Sequence, residues 1–236
     1  MRSNQAGSVT YKPSDTTHQI RKKMWIISIV ALSCLSSVLA DLPAGRTLAV
    51  PDINLCNKRV IHEVGPNGKG YFFSWRDPAL KNAQEDWLTA RNYCRRHCME
   101  TISLETSVEN EWIKERIVRD KVKYIWTSGR KCDFPGCNRP DLQPLSVNGW
   151  FWTATLEKLA PTTQRDQNDW SETGGIGKPQ PDNREFQQGG AVENCLAVLN
   201  QFYNDGVNWH DVACHHVKPW VCEENDELVK FAHLSQ

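Results

Sequence analysis

The chain has 236 residues, with 28 basic and 28 acidic side chains and a formal net charge of zero. Apolar residues make up 39% and charged residues 24%, which excludes a wholly disordered chain. Neutrality also removes any bulk electrostatic case for nucleic acid or an anionic membrane surface as partner.

Residues 1–23 are polar and carry Arg2, Lys12, Arg21, Lys22 and Lys23 against one acid, Asp15. An apolar run follows from Met24 to Ala40 and ends on the small residues Val38 and Ala40. A basic flank, an apolar core and small residues two apart form the pattern of a signal peptide cut after Ala40, with Met24 as an alternative start. The competing reading is a membrane anchor. A spanning helix needs about 20 apolar residues; this run has 17, four of them serine. The expectation is therefore a secreted, extracellular protein. The chain has nine cysteines, an odd number, and cleavage removes Cys34. Cys56, Cys94, Cys98, Cys132, Cys137, Cys195, Cys214 and Cys222 remain, an even set that reads as four disulfides in an oxidising compartment. No Asn-x-Ser/Thr acceptor occurs, so N-glycosylation is not expected.

Residues 41–69 read as an N-terminal arm that closes on a turn cluster, Val64 to Gly70, rich in Gly, Asn and Pro. Tyr71-Phe72-Phe73-Ser74-Trp75 suits a strand. Asn82 with Glu85 predicts the start of a helix whose face is Ala83, Trp87, Ala90 and Cys94. Thr106 with Glu109 predicts a second, with Val108, Trp112, Ile113 and Ile117 as its buried stripe. Beyond Asp120 helical periodicity stops. Tyr124–Gly129, Trp150–Thr153, Asn194–Leu199 and Trp220–Cys222 read as short strands. About 40 residues of little period separate Trp152 from Cys195, the mark of a functional loop. A tail, residues 224–236, is acidic and then weakly amphipathic.

Taken in order, these segments of residues 70–223 resemble a C-type lectin domain. Trp87-Leu88-Thr89-Ala90 with Cys94 is similar to the family's first helix and half-cystine. Ile125 to Gly129 resembles its central tryptophan–glycine strand, and Trp150-Phe151-Trp152 its paired-tryptophan strand. Gln180-Pro181-Asp182-Asn183 resembles the long-loop calcium motif. Glu193-Asn194-Cys195, Trp209 to Cys214 and Trp220 to Glu223 resemble the closing segments. The resemblance implies an α+β fold of two helices and two small antiparallel sheets with a long irregular loop. It implies the disulfides Cys94–Cys222 and Cys195–Cys214. Of the four half-cystines it does not pair, Cys132 and Cys137 can close a local turn, and Cys56 would then join Cys98.

The same resemblance implies calcium-dependent carbohydrate binding. Calcium takes 6–8 oxygen ligands, and Gln180, Asp182, Glu193 and Asp211 supply such oxygens. Three carboxylates brought together without a cation would repel one another. A cis bond before Pro181 would aim Gln180 and Asp182 at one ion, whose shell two sugar hydroxyls complete. The order Gln-Pro-Asp resembles the galactose-type subset, so terminal galactose-like glycans are the expected partners. Phe186 would stack on the sugar. His210 stands where the family has Asn, and it would border the site.

Three other readings compete. A zinc site would draw on His210, Asp211, His215 and His216, which fall within seven residues. An enzyme is not expected, because no Gly-x-Ser-x-Gly, His-Glu-x-x-His or phosphate loop is present. The third is a calcium-independent module of the same fold that binds a protein partner, or a membrane-anchored receptor of type II. Removing the five basic residues and one acid of residues 1–40 leaves 23 basic against 27 acidic residues, so the mature chain is mildly acidic.

Overall fold

Strand pairing between the two ends of the domain organises the computed structural model, which describes residues 47–235. The signal-peptide and anchor readings of residues 1–40 lie outside those residues. Strands β1 (Glu63–Val64), β2 (Gly70–Phe73) and β3 (Met99–Thr101) join β9 (Val221–Glu224) in one antiparallel sheet, in the order β1-β2-β9-β3. A second antiparallel sheet holds β4 (Tyr124–Lys131), β5 (Trp150–Trp152), β6 (Glu157–Lys158), β7 (Cys195–Asn200) and β8 (Val207–Val212), in the order β6-β5-β4-β7-β8. The α+β architecture is the one expected: helices beside two antiparallel sheets, with a long irregular stretch between β6 and β7.

Aromatic residues at β2 explain how one short strand serves two cores. Successive side chains point to opposite faces. Tyr71 and Phe73 pack with Ile102, Ile113, Ile117 and Trp209, whereas Phe72 packs on the other side with Trp87, Met99 and Trp220. Tyr71, Phe72 and Phe73 face Glu223, Cys222 and Val221 of β9. Burying a large apolar side chain contributes roughly 1.5–3 kcal/mol, and these two clusters hold most of the tryptophans.

Besides short helical turns at α1 (Ile53–Cys56), α4 (Leu145–Asn148) and α5 (Arg184–Gln187), three longer helices form among the described residues. They are α2 (Trp87–Arg96), α3 (Ser107–Arg119) and α6 (Asp226–Leu234). Two details correct the sequence reading. Helix α2 starts at Trp87, and its cap is Asp86, whose side chain accepts from Thr89 N at 2.9 Å. Glu85 cannot join the helix because its backbone pairs with Lys218 in both directions. Helix α3 is capped by Thr106 as expected, but Val108 is 63% exposed and Glu109 takes the buried position, where the Tyr71 hydroxyl donates to it.

Four disulfides close: Cys56–Cys98, Cys94–Cys222, Cys132–Cys137 and Cys195–Cys214. Cys94–Cys222 ties α2 to β9 across a sequence separation of 128 residues. The chain-entropy view assigns such a bridge roughly 4–5 kcal/mol. Cys56–Cys98 sits in a small cluster with Ala232, Ile53 and Leu228, so α1 and the tail helix α6 clasp each other there. Among the described residues no helix is long and apolar enough to cross a membrane.

Candidate metal and ligand site

Strand β8 and the loop before α5 meet at Asp211. Its Oδ1 accepts from Asp182 N at 3.0 Å and its Oδ2 from Asn183 N at 2.8 Å. One buried carboxylate on a strand therefore fixes the backbone of the long loop. The loop reaches this point through the Gln180–Pro181 peptide, which is cis, and through Asn183, whose φ of 50° lies in the left-handed region. Asn is among the few side chains that tolerate that region. Asn183 Oδ1 in turn accepts from Glu193 N at 2.9 Å. The loop is thus stitched to the start of β7 as well as to β8.

These bonds bring Asp182, Glu193 and Asp211 together, with one ligand oxygen from each within 4.8 Å of the others. Glu193 and Asp211 are buried. Among the described residues no Lys or Arg lies at ion-pair distance from any of the three. Lys131 Nζ donates instead to the Glu193 carbonyl at 3.2 Å. Burial and the charge of Asp211 push the Glu193 carboxyl up to about 7. Burial likewise pushes Asp211 up to about 6, although the two backbone N–H groups favour its charged form. Asp182 Oδ2 is buried with no hydrogen-bond partner. An orphaned carboxylate oxygen beside two crowded acids is a donor set that fits a hard divalent cation.

Gln180, the fourth expected ligand, is buried and lines the same pocket as the three acids. Its side chain has room because residue 174 is glycine. A Cβ there would stand 2.4 Å from Gln180 Nε2, and the backbone has a φ of 47°. The pocket has a volume of about 500 Å³ and extends from the acids past His210 to Tyr203, Phe202 and Lys218. Burial lowers the Lys218 ammonium to about 8.

His210 lines this pocket and is only 2% exposed. Its Nε2 lies 3.0 Å from Asp205 Oδ2 but makes no hydrogen bond. Burial pulls its pKa below the ordinary histidine value, against the opposing charge of Asp205. Ser171 Oγ donates to the same Asp205 oxygen. The serine is therefore bound to the acid and not to the imidazole, which is the wrong order for a nucleophile, base and orienting acid.

Phe186, expected to stack on a ligand, is 53% exposed on α5 and does not line the pocket. The α5 side chains that do so are Arg184 and Glu185. The aromatic side chains that line the pocket are Tyr124, Phe202 and Tyr203. Tyr203 packs at 5.7 Å from the His210 ring and edge-on to Phe202 at 4.8 Å. The sequence reading missed this pair. Its only local signal is an aromatic dipeptide followed by the turn residues Asn204, Asp205 and Gly206. The zinc reading separates into parts: His210 and Asp211 point into the interior, while His215 and His216 stand exposed beside Glu185.

No protein-family model matches this chain. Solved structures to which it is similar are mostly C-type lectin domains. The mouse scavenger receptor C-type lectin carbohydrate-recognition domain has a TM-score of 0.44 at 19% identity, covering 66% of this chain and 90% of that one. TC14, a C-type lectin from the tunicate Polyandrocarpa misakiensis, has a TM-score of 0.44 at 18% identity, covering 66% of this chain and 98% of that one. The herring type II antifreeze protein is also similar, with a TM-score of 0.42 at 20% identity, covering 66% of this chain and 90% of that one.

Proposed function

We propose that this chain is a secreted, calcium-dependent carbohydrate-binding protein of the C-type lectin kind, with galactose-like terminal sugars as ligands. The observation that supports this most is the acid cluster. Asp182, Glu193 and Asp211 converge within 4.8 Å, lack a cationic partner among the described residues, and sit at one end of an open pocket. Like charges in a low-dielectric setting are costly unless a cation joins them. Gln180 would add an amide oxygen to the three carboxylates. Bound calcium would supply open coordination positions for a pair of sugar hydroxyls.

The protein's own groups do the rest. Asp211 holds the loop by two backbone hydrogen bonds, so the ligand oxygens are set before a sugar arrives. Tyr203 offers the ring face that Phe186 does not, and an aromatic face suits the apolar side of a sugar ring. His210 lies beside Asp205 and borders the sugar site.

Affinity chromatography tests the reading. The protein should be retained on galactose resin with calcium and released by a chelator, with weaker retention on mannose resin. No chelator-sensitive retention on either resin would overturn it. A melting temperature that millimolar calcium leaves unchanged would favour the calcium-independent protein-binding module, since a ligand of the native state alone must raise stability. Secretion is checked by N-terminal sequencing of protein collected from the medium, which should begin at Asp41. A chain kept in the membrane fraction would point to the anchored receptor instead.

A further inference from the structure

A second group of metal-ligating side chains stands beside the acid cluster, and the calcium reading makes no use of it. Glu185 on α5 faces His215 and His216, which follow Cys214. Glu185 Oε2 lies 2.7 Å from His216 Nε2, and Oε1 lies 3.9 Å from His215 Nε2. One donor atom from each residue lies within 4.8 Å of the other two. The two imidazoles stack at a centroid distance of 4.7 Å. All three side chains reach solvent, with 29% exposure at Glu185, 62% at His215 and 45% at His216.

The donor set selects the ion. Calcium takes oxygen ligands, whereas two imidazole nitrogens and one carboxylate suit zinc and its first-row neighbours. A tetrahedral zinc ion with ligands near 2.0–2.1 Å spaces its donors roughly 3.3–3.5 Å apart. The observed 2.7 and 3.9 Å separations straddle that spacing, and exposed side chains adjust by small χ rotations. The backbone beneath them is already fixed. Cys214 is bridged to Cys195, and its carbonyl accepts from Trp87 N at 3.0 Å. His216 N donates to the Ala213 carbonyl at 3.1 Å. On the other side, the Glu185 carbonyl accepts from Gly190 N at 2.9 Å, and Glu185 N donates to Glu193 Oε2 at 3.2 Å.

The geometry points to a second metal site in which Glu185, His215 and His216 bind one zinc-class divalent cation. Three protein ligands leave a fourth position for water or for a group entering from the pocket. The ion cross-links the loop of residues 184–191 to the turn of residues 213–216. Because Glu185 N is bonded to Glu193, the crosslink fixes one edge of the acid cluster without sharing its ligands.

Zinc titration of the full chain by calorimetry and equilibrium dialysis, in saturating calcium, tests the site. The expected result is one zinc per chain, with affinity reduced about tenfold or more by His215→Ala, His216→Ala or Glu185→Gln, since even outer-shell changes cost that much. His215 and His216 are exposed and Glu185 is partly exposed, so the variants should melt like the parent in a chelator. Zinc binding of equal affinity and stoichiometry in the His215→Ala/His216→Ala double variant overturns the proposal, and so does the absence of zinc binding by the parent. The calcium-induced rise in melting temperature, which uses neither histidine, is read separately. The zinc site and the calcium site therefore stand or fall apart.

Discussion

Buried carboxylates occur in both sheets, and they are partnered differently. In the sheet formed by β1, β2, β9 and β3, each one meets a donor built for it. Arg91 pairs with Glu100 at 2.8 Å, and Arg95 reaches the same acid. Lys69 pairs with Glu223 at 2.5 Å. Glu63, in β1 and only half-buried, gathers Arg76, Arg116 and Arg119, and these three hold its carboxyl down to about 2. Around β8 the Glu193 and Asp211 carboxylates accept hydrogen bonds only from backbone N–H groups, and burial with the neighbouring acids pushes both carboxyls up. A buried acid with its own cation is part of the scaffold. In the proposed function, the cluster without one takes its cation from solvent.

The contrast predicts that one kind of substitution has opposite signs in the two regions. Glu100→Gln breaks a buried ion pair and leaves Arg91 uncompensated, which should cost about 3–5 kcal/mol in urea unfolding. A variant as stable as the parent would remove the distinction. Glu193→Gln relieves repulsion, so in a chelator it should unfold at equal or higher denaturant than the parent. The same change should weaken calcium affinity by about tenfold or more, read from the calcium dependence of the melt. Tyr203→Ala should leave that calcium response intact and weaken sugar retention by roughly 0.5–1.5 kcal/mol, up to about tenfold. Phe186→Ala should change neither.

The smallest effect sharpens the comparison from the scaffold side. Glu109 meets the Tyr71 hydroxyl rather than a cation, and burial raises its carboxyl to about 7 from 4.5. The folded chain therefore keeps this proton across a pH range in which the unfolded chain has lost it. Its contribution is fully present below pH 4.5, declines as pH rises through about 7, and is absent above that. Glu109→Gln should flatten that part of the stability profile. An unchanged slope between pH 5 and 7 would place the titration elsewhere.

Local pattern carried the sequence reading where a feature depends on neighbours in the chain. Thr106 caps α3 as its spacing with Glu109 implied, because capping is decided within one turn. The strand at β4 and the tryptophan strand at β5 stand where apolar runs predicted them. The reading went astray where a distant segment competes. Asn82 has the chemistry of a cap, but the pairing of Glu85 with Lys218 delays the helix to Asp86. Val108 fits an apolar stripe, yet the hydroxyl of Tyr71, from a strand 38 positions away in sequence, gives that buried position to Glu109. Tyr203 has no motif around it, and it lines the pocket only because the hairpin between β7 and β8 brings it beside His210.

The sequence by itself determined the half-cystines, the alternating and helical stripes, and the residue types able to hold a cation. These follow from composition and short-range spacing, which the chain carries before it folds. Tertiary structure alone decided which carboxylates converge. Asp182, Glu193 and Asp211 come from a loop, the approach to β7 and the end of β8. They meet because Asp211 accepts two backbone hydrogen bonds from a loop 28 and 29 positions away in sequence. It also placed Glu185 opposite His215 and His216 while drawing His210 into the interior. Convergence is a property of distance in space, and spacing along a chain does not fix it until sheets and disulfides have closed.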